Sequence, residues 1–358
     1  MRFGAAQRKA TRQKLYNDHL AAVRRRVADI TATGDVGSAR DPGALADAEA
    51  LDACERLDDR HPEDASLLGW LYWYCAEALV GSEAGEYARR RALYHFSVSF
   101  LAGLDGVPDP LLPEVVDTIA VNALQLLHQV INNPEPEHVA HNTRLWQRLL
   151  TAAPRDHPAL AAMWSNLGIA AGLRYEHTRL LDDLEVSVDA GRRAVELTAP
   201  GDPGYGERLR NLARALKLRF THTRALLDLD ALIDNQRALL RARPGDAGPG
   251  RPVEGLAIFL WERHELTGSD VDLDAAIEAA QRALEGIGPD QPRRAQWLCN
   301  VGSAYGRRYE RHRGRVDLTR ATLLLTEALE AAPADDTERS RAQTALAKLK
   351  QLTREGER

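Results

Sequence analysis

Trp164-Ser165-Asn166-Leu167-Gly168 returns as Leu209-Arg210-Asn211-Leu212-Ala213, again as Val253-Glu254-Gly255-Leu256-Ala257, and a fourth time as Leu298-Cys299-Asn300-Val301-Gly302. The fourth residues of these strings, Leu167, Leu212, Leu256 and Val301, stand 45, 44 and 45 positions apart. Sixteen or seventeen residues after each comes an Asp-Leu pair: Asp183-Leu184, Asp228-Leu229, Asp272-Leu273 and Asp317-Leu318. A fixed period of this size is the mark of a stacked array of supersecondary units. No unit of this kind buries its apolar face alone, so the array folds as a quasi-one-dimensional solenoid.

Outward from the strings, the columns describe two helices per unit. The first helix, A, carries the Leu-Gly string, and the second, B, begins at the Asp-Leu pair. Asp there is expected to act as an N-cap, its carboxylate accepting the free N–H groups of the first turn. Three residues on stand Ser187, Leu232, Ala276 and Ala321, and ten residues on stand Ala194, Leu239, Ala283 and Ala328. That spacing lays one stripe of helix B against helix A. Proline then closes helix B, at Pro200, Pro244, Pro289 and Pro333. The small residue after each anchor (Gly168, Ala213, Ala257, Gly302) allows close backbone approach.

The pattern resembles the tetratricopeptide repeat (TPR). Trp164, Leu167 and Gly168 meet its helix-A motif in the first unit, Gly302 and Tyr305 meet it in the fourth, and the helix-B small residues and proline match its other columns. The period exceeds the usual ~34 residues. The lengthened form pairs Arg with a ring late in helix A: Arg174-Tyr175, Arg219-Phe220, Arg263-His264 and Arg308-Tyr309. It is similar to repeats of actinobacterial proteins that carry a CHAT peptidase domain, although no strand-rich segment for such a domain is present. The resemblance implies an all-α fold, a right-handed α-solenoid of antiparallel helix pairs. The expected layout is a basic N-terminal helix (1–35), divergent helical repeats (36–156), four repeats (157–202, 203–250, 251–291, 292–336) and a C-terminal capping helix (337–358). Leu68-Gly69 and Asn122-Ala123-Leu124 echo the string within the divergent part, and Trp70, Trp73 and Tyr74 share a helical face expected to enter the core.

Composition narrows the function. Apolar residues at 44% and charged residues at 28% describe a well-packed soluble chain. No apolar run approaches a membrane span, and the N-terminus lacks a secretory h-region, so the expected location is cytoplasmic. Cys54, Cys75 and Cys299 match no metal or redox spacing and are expected as reduced thiols. Residues 1–30 hold eight Lys/Arg against Asp18 and Asp29, a balance of +6, which leaves −11 in the rest of a chain of net −5. A basic helix of this kind either meets an anionic surface or docks on acidic neighbours in its own chain; the acidic body disfavours nucleic acid.

No Gly-rich phosphate loop, zincin string or nucleophile elbow occurs. His138-x-x-His141 lacks a third ligand, and Cys299 lacks a His at motif spacing. No cofactor or metal is expected. Two functions stay open: a protein- or peptide-binding scaffold, as the recognition subunit of a system whose effector, such as a peptidase, is a separate chain; or an enzyme or small-molecule sensor with its site inside the superhelix. Under the first, the ligand is met by helix-A positions that vary between units and, as the tetratricopeptide resemblance implies, by the asparagine column that faces the concave groove in that family. These are the amides Asn166, Asn211 and Asn300, which can clamp a peptide backbone or simply bond a neighbouring segment; the cationic row Arg210, Arg214 and Lys217, which suits an acidic or C-terminal peptide or an intramolecular partner such as Glu207; and Trp261 and Arg307. A fragment of residues 157–202 is expected to show little helix by circular dichroism, whereas residues 157–358 are strongly helical; a well-folded single unit contradicts the array.

Overall fold

In a computed structural model, described here for residues 2–54, 61–242, 252–291, 293–333 and 337–356, regular structure is helical throughout. Contacts divide the chain into two units, Met1–Met163 and Trp164–Arg358. No helix among the described residues is long and apolar enough to cross a membrane.

The first unit contains α1 (Arg2–Thr33), a 3-10 turn (Val36–Arg40), α2 (Pro42–Ala53), α3 (Pro62–Ala78), α4 (Glu83–Leu101), α5 (Leu112–Asn132) and α6 (Pro136–Ala152). The basic helix α1 packs on α2 and α3. Tyr16 and Arg24 bond Asp64 at 2.7 and 3.3 Å, while Arg26 bonds Asp47 at 2.5 Å and Asp41 at 3.1 Å. Of the two alternatives for its charge, these cations take the acidic neighbours of their own chain. Trp73 enters the core as expected, but Tyr72 lies deeper still, and Trp70 and Tyr74 are only half-buried.

The second unit takes up α7 (Leu160–Thr178), which begins just before the division, then α8 (Leu181–Glu196), α9 (Tyr205–Thr223), α10 (Leu226–Ala242), α11 (Pro252–Thr267), α12 (Asp270–Glu285), α13 (Arg294–His312), α14 (Arg315–Ala331) and α15 (Thr337–Gly356). From α8 onward each helix packs on the next, and α15 closes the series against α13 and α14. The unit is an all-α solenoid of antiparallel, TPR-like helix pairs. The anchors Leu167, Leu212, Leu256 and Val301 are buried, as are both helix-B columns. Close approach explains Gly302: a Cβ there would stand 2.8 Å from the Leu325 side chain and 3.2 Å from its backbone nitrogen. The B helices end before their prolines at 200, 289 and 333, and Pro244 lies outside the described residues.

The Asp column does not cap helix B. Asp183, Asp228, Asp272 and Asp317 are the third residues of their helices, and their carboxylates turn back to helix A. There each pairs with the arginine nine positions earlier: Arg174–Asp183 at 2.5 Å, Arg219–Asp228 at 2.6 Å, Arg263–Asp272 at 2.6 Å and Arg308–Asp317 at 2.7 Å. The arginine column, placed late in helix A, therefore serves these carboxylates. Two of them also reach back one unit, Arg263 to Asp230 at 2.7 Å and Arg308 to Asp274 at 2.6 Å. These hydrogen bonds, to Asp272 and Asp317 first, hold both guanidinium groups more firmly protonated than usual.

Between the paired helices the chain reverses on one left-handed residue per unit, Arg179 (φ 57°), Arg224 (56°), Gly268 (73°) and Arg313 (55°). Each donates its N–H to the carbonyl four residues earlier, on Tyr175, Phe220, His264 and Tyr309, at 2.7–2.9 Å, the αL form of helix C-cap. An L-residue pays about 1 kcal/mol or more in this conformation. At the three arginines a cation–ring contact offsets that cost, with guanidinium carbons 5.5, 4.6 and 5.6 Å from the ring centres of Tyr175, Phe220 and Tyr309. Where glycine removes the cost, His264 instead uses Nδ1 on the Ser269 carbonyl at 2.8 Å.

Arg219→Ala strands the Asp228 carboxylate, only 2% exposed, and is expected to destabilise the second unit by about 3 kcal/mol. Arg219→Met combined with Asp228→Leu is expected to lose much less. Urea titrations followed by circular dichroism measure both.

Candidate functional site

The helix-A face of the second unit holds an open groove in two compartments. The first, about 250 Å³, lies among Ala257, Ile258 and Trp261 of α11, Ala276 and Ala280 of α12, and Trp297, Asn300, Ser303 and Ala304 of α13, with Arg341 of α15 at the rim. The second, about 270 Å³, shares Trp261 and Ser303 and continues past Gly306, Arg307 and Glu310 to Ala345, Lys348, Leu349 and Leu352. Two indoles over a floor of alanines make the first compartment an apolar socket with a polar rim, the usual chemistry of a small recognition site. The helix pairs build it because α11, α12 and α13 present only alanine at Ala257, Ala276, Ala280 and Ala304; two of these positions carry larger side chains in other repeats, Leu232 in the column of Ala276 and Gln236 and Leu325 in that of Ala280.

The cations around the groove already have carboxylate partners. Arg341 donates to Glu338 at 2.8 Å and to the side-chain Oδ1 of Asn300 at 3.2 Å. Lys348 and Arg307 meet on Glu310 at 2.9 and 3.1 Å. Lys348 first, and then Arg307, hold the Glu310 carboxyl below the usual range. Arg307 also stands 3.5 Å from Glu265. A ligand carboxylate at this rim competes with intramolecular ones, so the apolar socket is the part open without exchange.

Of the residues proposed from sequence, Trp261, Asn300 and Arg307 come together here, joined by α15, whose Arg341 and Lys348 no repeat column could single out. The others do not line these compartments. Asn211 donates to the Ser165 hydroxyl of the preceding A helix at 3.0 Å, and Asn166 is half-buried. At the break in the amide column, a Cβ on Gly255 would meet the Gln236 side chain at 3.0 Å, so a buried amide from α10 occupies that space. Arg210, Arg214 and Lys217 are exposed along α9. The intramolecular partner of Arg214 is Glu176, at 3.4 Å, rather than Glu207.

The cysteine and histidine candidates behave as ordinary structural residues. Cys299 is fully buried, and burial pushes its thiol above the usual range; the same effect takes Cys75 up to about 11. Neither is poised as a thiolate. His138 and His141 are exposed on α6, and among the described residues no three His, Cys, Asp or Glu side chains gather as a metal site.

No protein-family model matches the chain, and no curated protein matches it. Among solved structures it is similar to a thermophilic TPR protein in Thermus thermophilus, at 20% identity and a TM-score of 0.33, over 63% of this chain and 98% of that one. The fold assignment rests on the helix pairs themselves.

Sequence reasoning missed one polar cluster, in the first unit. Asp52, 6% exposed, accepts from the Tyr72 hydroxyl at 3.0 Å and from Arg91 Nε at 2.8 Å, with His95 Nε2 at 3.2 Å. Tyr72 and His95 stack with ring centres 5.6 Å apart. Burial by itself would raise the Asp52 carboxyl; His95 and Arg91 outweigh it and hold the group well below the usual range. Burial, reinforced by Asp52, lifts the Tyr72 phenol well above its own. The four residues recur nowhere in the chain, so no period advertises them. Because Asp52 is held below its unfolded value, its stabilisation is present at neutral pH and disappears as pH falls through the acid range. Asp52→Asn is expected to cost about 3 kcal/mol at neutral pH and to flatten the acid limb of a stability-against-pH curve measured by urea denaturation.

Proposed function

We propose that this chain is a non-catalytic protein- or peptide-binding scaffold whose ligand places one large apolar side chain in the socket between Trp261 and Trp297. The observation that carries this reading is the open apolar compartment on the face where successive A helices differ from one another. Aromatic residues in such a pocket are the typical energetic centre of an interface. The neighbouring cations Arg341, Arg307 and Lys348 favour a ligand with acidic residues flanking the anchor, at the expense of the Glu338 and Glu310 pairs. The exposed row Arg210, Arg214 and Lys217, with Asn211 and Asn166, would extend contact along the same run of A helices. A scaffold of this kind supplies recognition, and its effector, such as a peptidase, would be a separate chain.

The test is selection of peptides on the immobilised full chain by phage display, followed by fluorescence anisotropy titration of the selected peptides. They are expected to share a large apolar residue beside acidic ones. Trp261→Ala is expected to weaken them by about 2 kcal/mol, roughly thirty-fold. Arg210→Ala, Arg214→Ala and Lys217→Ala combined are expected to reduce binding modestly, and more at low salt than at high. Peptides that bind Trp261→Ala as well as the parent, with the melting temperature of the variant unchanged, overturn the socket as the site.

A further inference from the structure

The helix A–helix B turns of the second unit repeat a feature that the fold does not use. One position before the Asp of the Asp-Leu pair stand Leu227, Val271 and Val316, which are 80%, 78% and 69% exposed. In the first repeat that position is Asp182, and the exposed apolar residues are its neighbours Leu180 and Leu181. Scattered exposed apolar residues are ordinary on a protein surface. Here one large aliphatic group, or a pair, projects from each of four successive turns.

The turns form one continuous edge. Tyr175 bonds His222 at 2.9 Å, Arg224 lies 3.6 Å from Glu262, and Arg311 reaches the Gly268 carbonyl at 3.1 Å and Asp270 at 2.7 Å. The apolar groups therefore line up as a row that crosses the unit and that its own chain leaves largely uncovered. An exposed apolar group repeated on every one of these linked turns is more than the scattered apolar surface of an ordinary protein and points to an interaction site.

Charge along the row identifies the occupant. The first turn carries Asp182 with Arg179, the second Arg224, the third Asp270, and the fourth Arg313 and Arg315. Reversing the order sets the second turn against the third and the first against the fourth. Arg224 then faces Asp270 and Leu227 faces Val271 at the centre; at the ends Leu180 and Leu181 face Val316, and Asp182 faces Arg313 and Arg315, while Arg179 of that turn is drawn onto the Tyr175 ring 5.5 Å away. A row that complements its own reverse is the requirement of an isologous two-fold interface. Running the rows in the same direction would instead set each turn against itself, with Arg313 and Arg315 meeting their own copies. Asp270 and Arg224 keep room for a second partner, since their side chains are 43% and 58% exposed despite their pairs to Arg311, His312 and Glu262. We infer that this edge docks on the same edge of a second copy of the chain, antiparallel, with the aliphatic row at its centre and the charges fixing direction.

Sedimentation velocity of the full chain across the micromolar range is expected to show a reversible monomer–dimer equilibrium. Leu227→Gln, Val271→Gln and Val316→Gln combined are expected to abolish the dimer while the melting temperature moves by no more than a few degrees, because all three side chains are mostly exposed. Direction is read from disulfide formation under mild oxidation. Leu227→Cys protein mixed with Val271→Cys protein is expected to give a cross-linked dimer, and each alone much less. A monomer at every concentration overturns the inference, and so does a dimer indifferent to the triple change. Efficient cross-linking within Leu227→Cys alone overturns the antiparallel arrangement. Capture of a monomeric chain by vesicles of anionic lipid, lost in the triple variant, assigns the row to a lipid surface and likewise overturns it.

Discussion

The clasp between an arginine late in helix A and the aspartate nine residues on fixes the geometry of every repeat. A tight reversal of two helices is set by two things, the angle of the turn and the distance at which the helices leave it. The left-handed residue sets the first, and the Arg–Asp pair, five residues before it and four after, sets the second. Both carboxylate and guanidinium are largely withdrawn from water, as with Asp228 and Arg219 at 2% and 18% side-chain exposure. Such a pair contributes little net energy over an apolar substitute but is strongly intolerant of losing one partner. What it supplies is a single allowed register between the helices, since sliding by one residue breaks all of its hydrogen bonds at once.

Propagation from one unit to the next uses the same arginines. Arg263 and Arg308 each hold a carboxylate on the preceding B helix as well as their own, so three helices meet on one guanidinium. Arg219 lacks an equivalent direct bond: its counterpart position on α8 is Glu185, which acts on it only at a distance. The ladder is therefore tightest in the last two repeats, and those are the repeats that, with α15, frame the groove. The socket proposed for recognition needs walls that hold their place without ligand, and the doubly bonded arginines tie down the helices carrying Trp261 and Trp297.

Much of this was legible in the chain. The period, the buried anchor and small-residue columns and the Arg–aromatic column all follow from repetition, because packing against a neighbour of the same shape demands the same residue type. The roles of Asp228 and its equivalents were not legible. An aspartate at the start of a helix suits both a cap and an ion pair, and only the distance to Arg219 across the turn separates them. The left-handed arginines escaped notice for a related reason: residues other than glycine rarely adopt that conformation, and the ring contact that permits it is formed four residues away. Trp261 and Arg307 could be picked out as departures from the columns and Asn300 as a member of the amide column, but Arg341 and Lys348 lie on a helix outside the period. Asp52, Tyr72, Arg91 and His95 belong to three different helices of the first unit, where no second copy exposes the pattern.

Repetition is thus a good guide to the fold and a poor guide to everything else, and the aliphatic row shows why. A position that recurs is ordinarily one that neighbouring units require, as Leu212 and Leu229 are required by the core between them. Leu227 and Val271 recur at the same period and yet stay about four-fifths exposed, at 80% and 78%. A repeat that preserves an apolar residue where its own packing gives no reason to do so must be answered from outside the repeat. The partner that most simply meets a row of four evenly spaced turns is another row with the same spacing. The reversal symmetry of the charges then makes the second copy the natural source of that row, while the socket between Trp261 and Trp297, lying on the helix faces and away from the turns, is left to a different ligand.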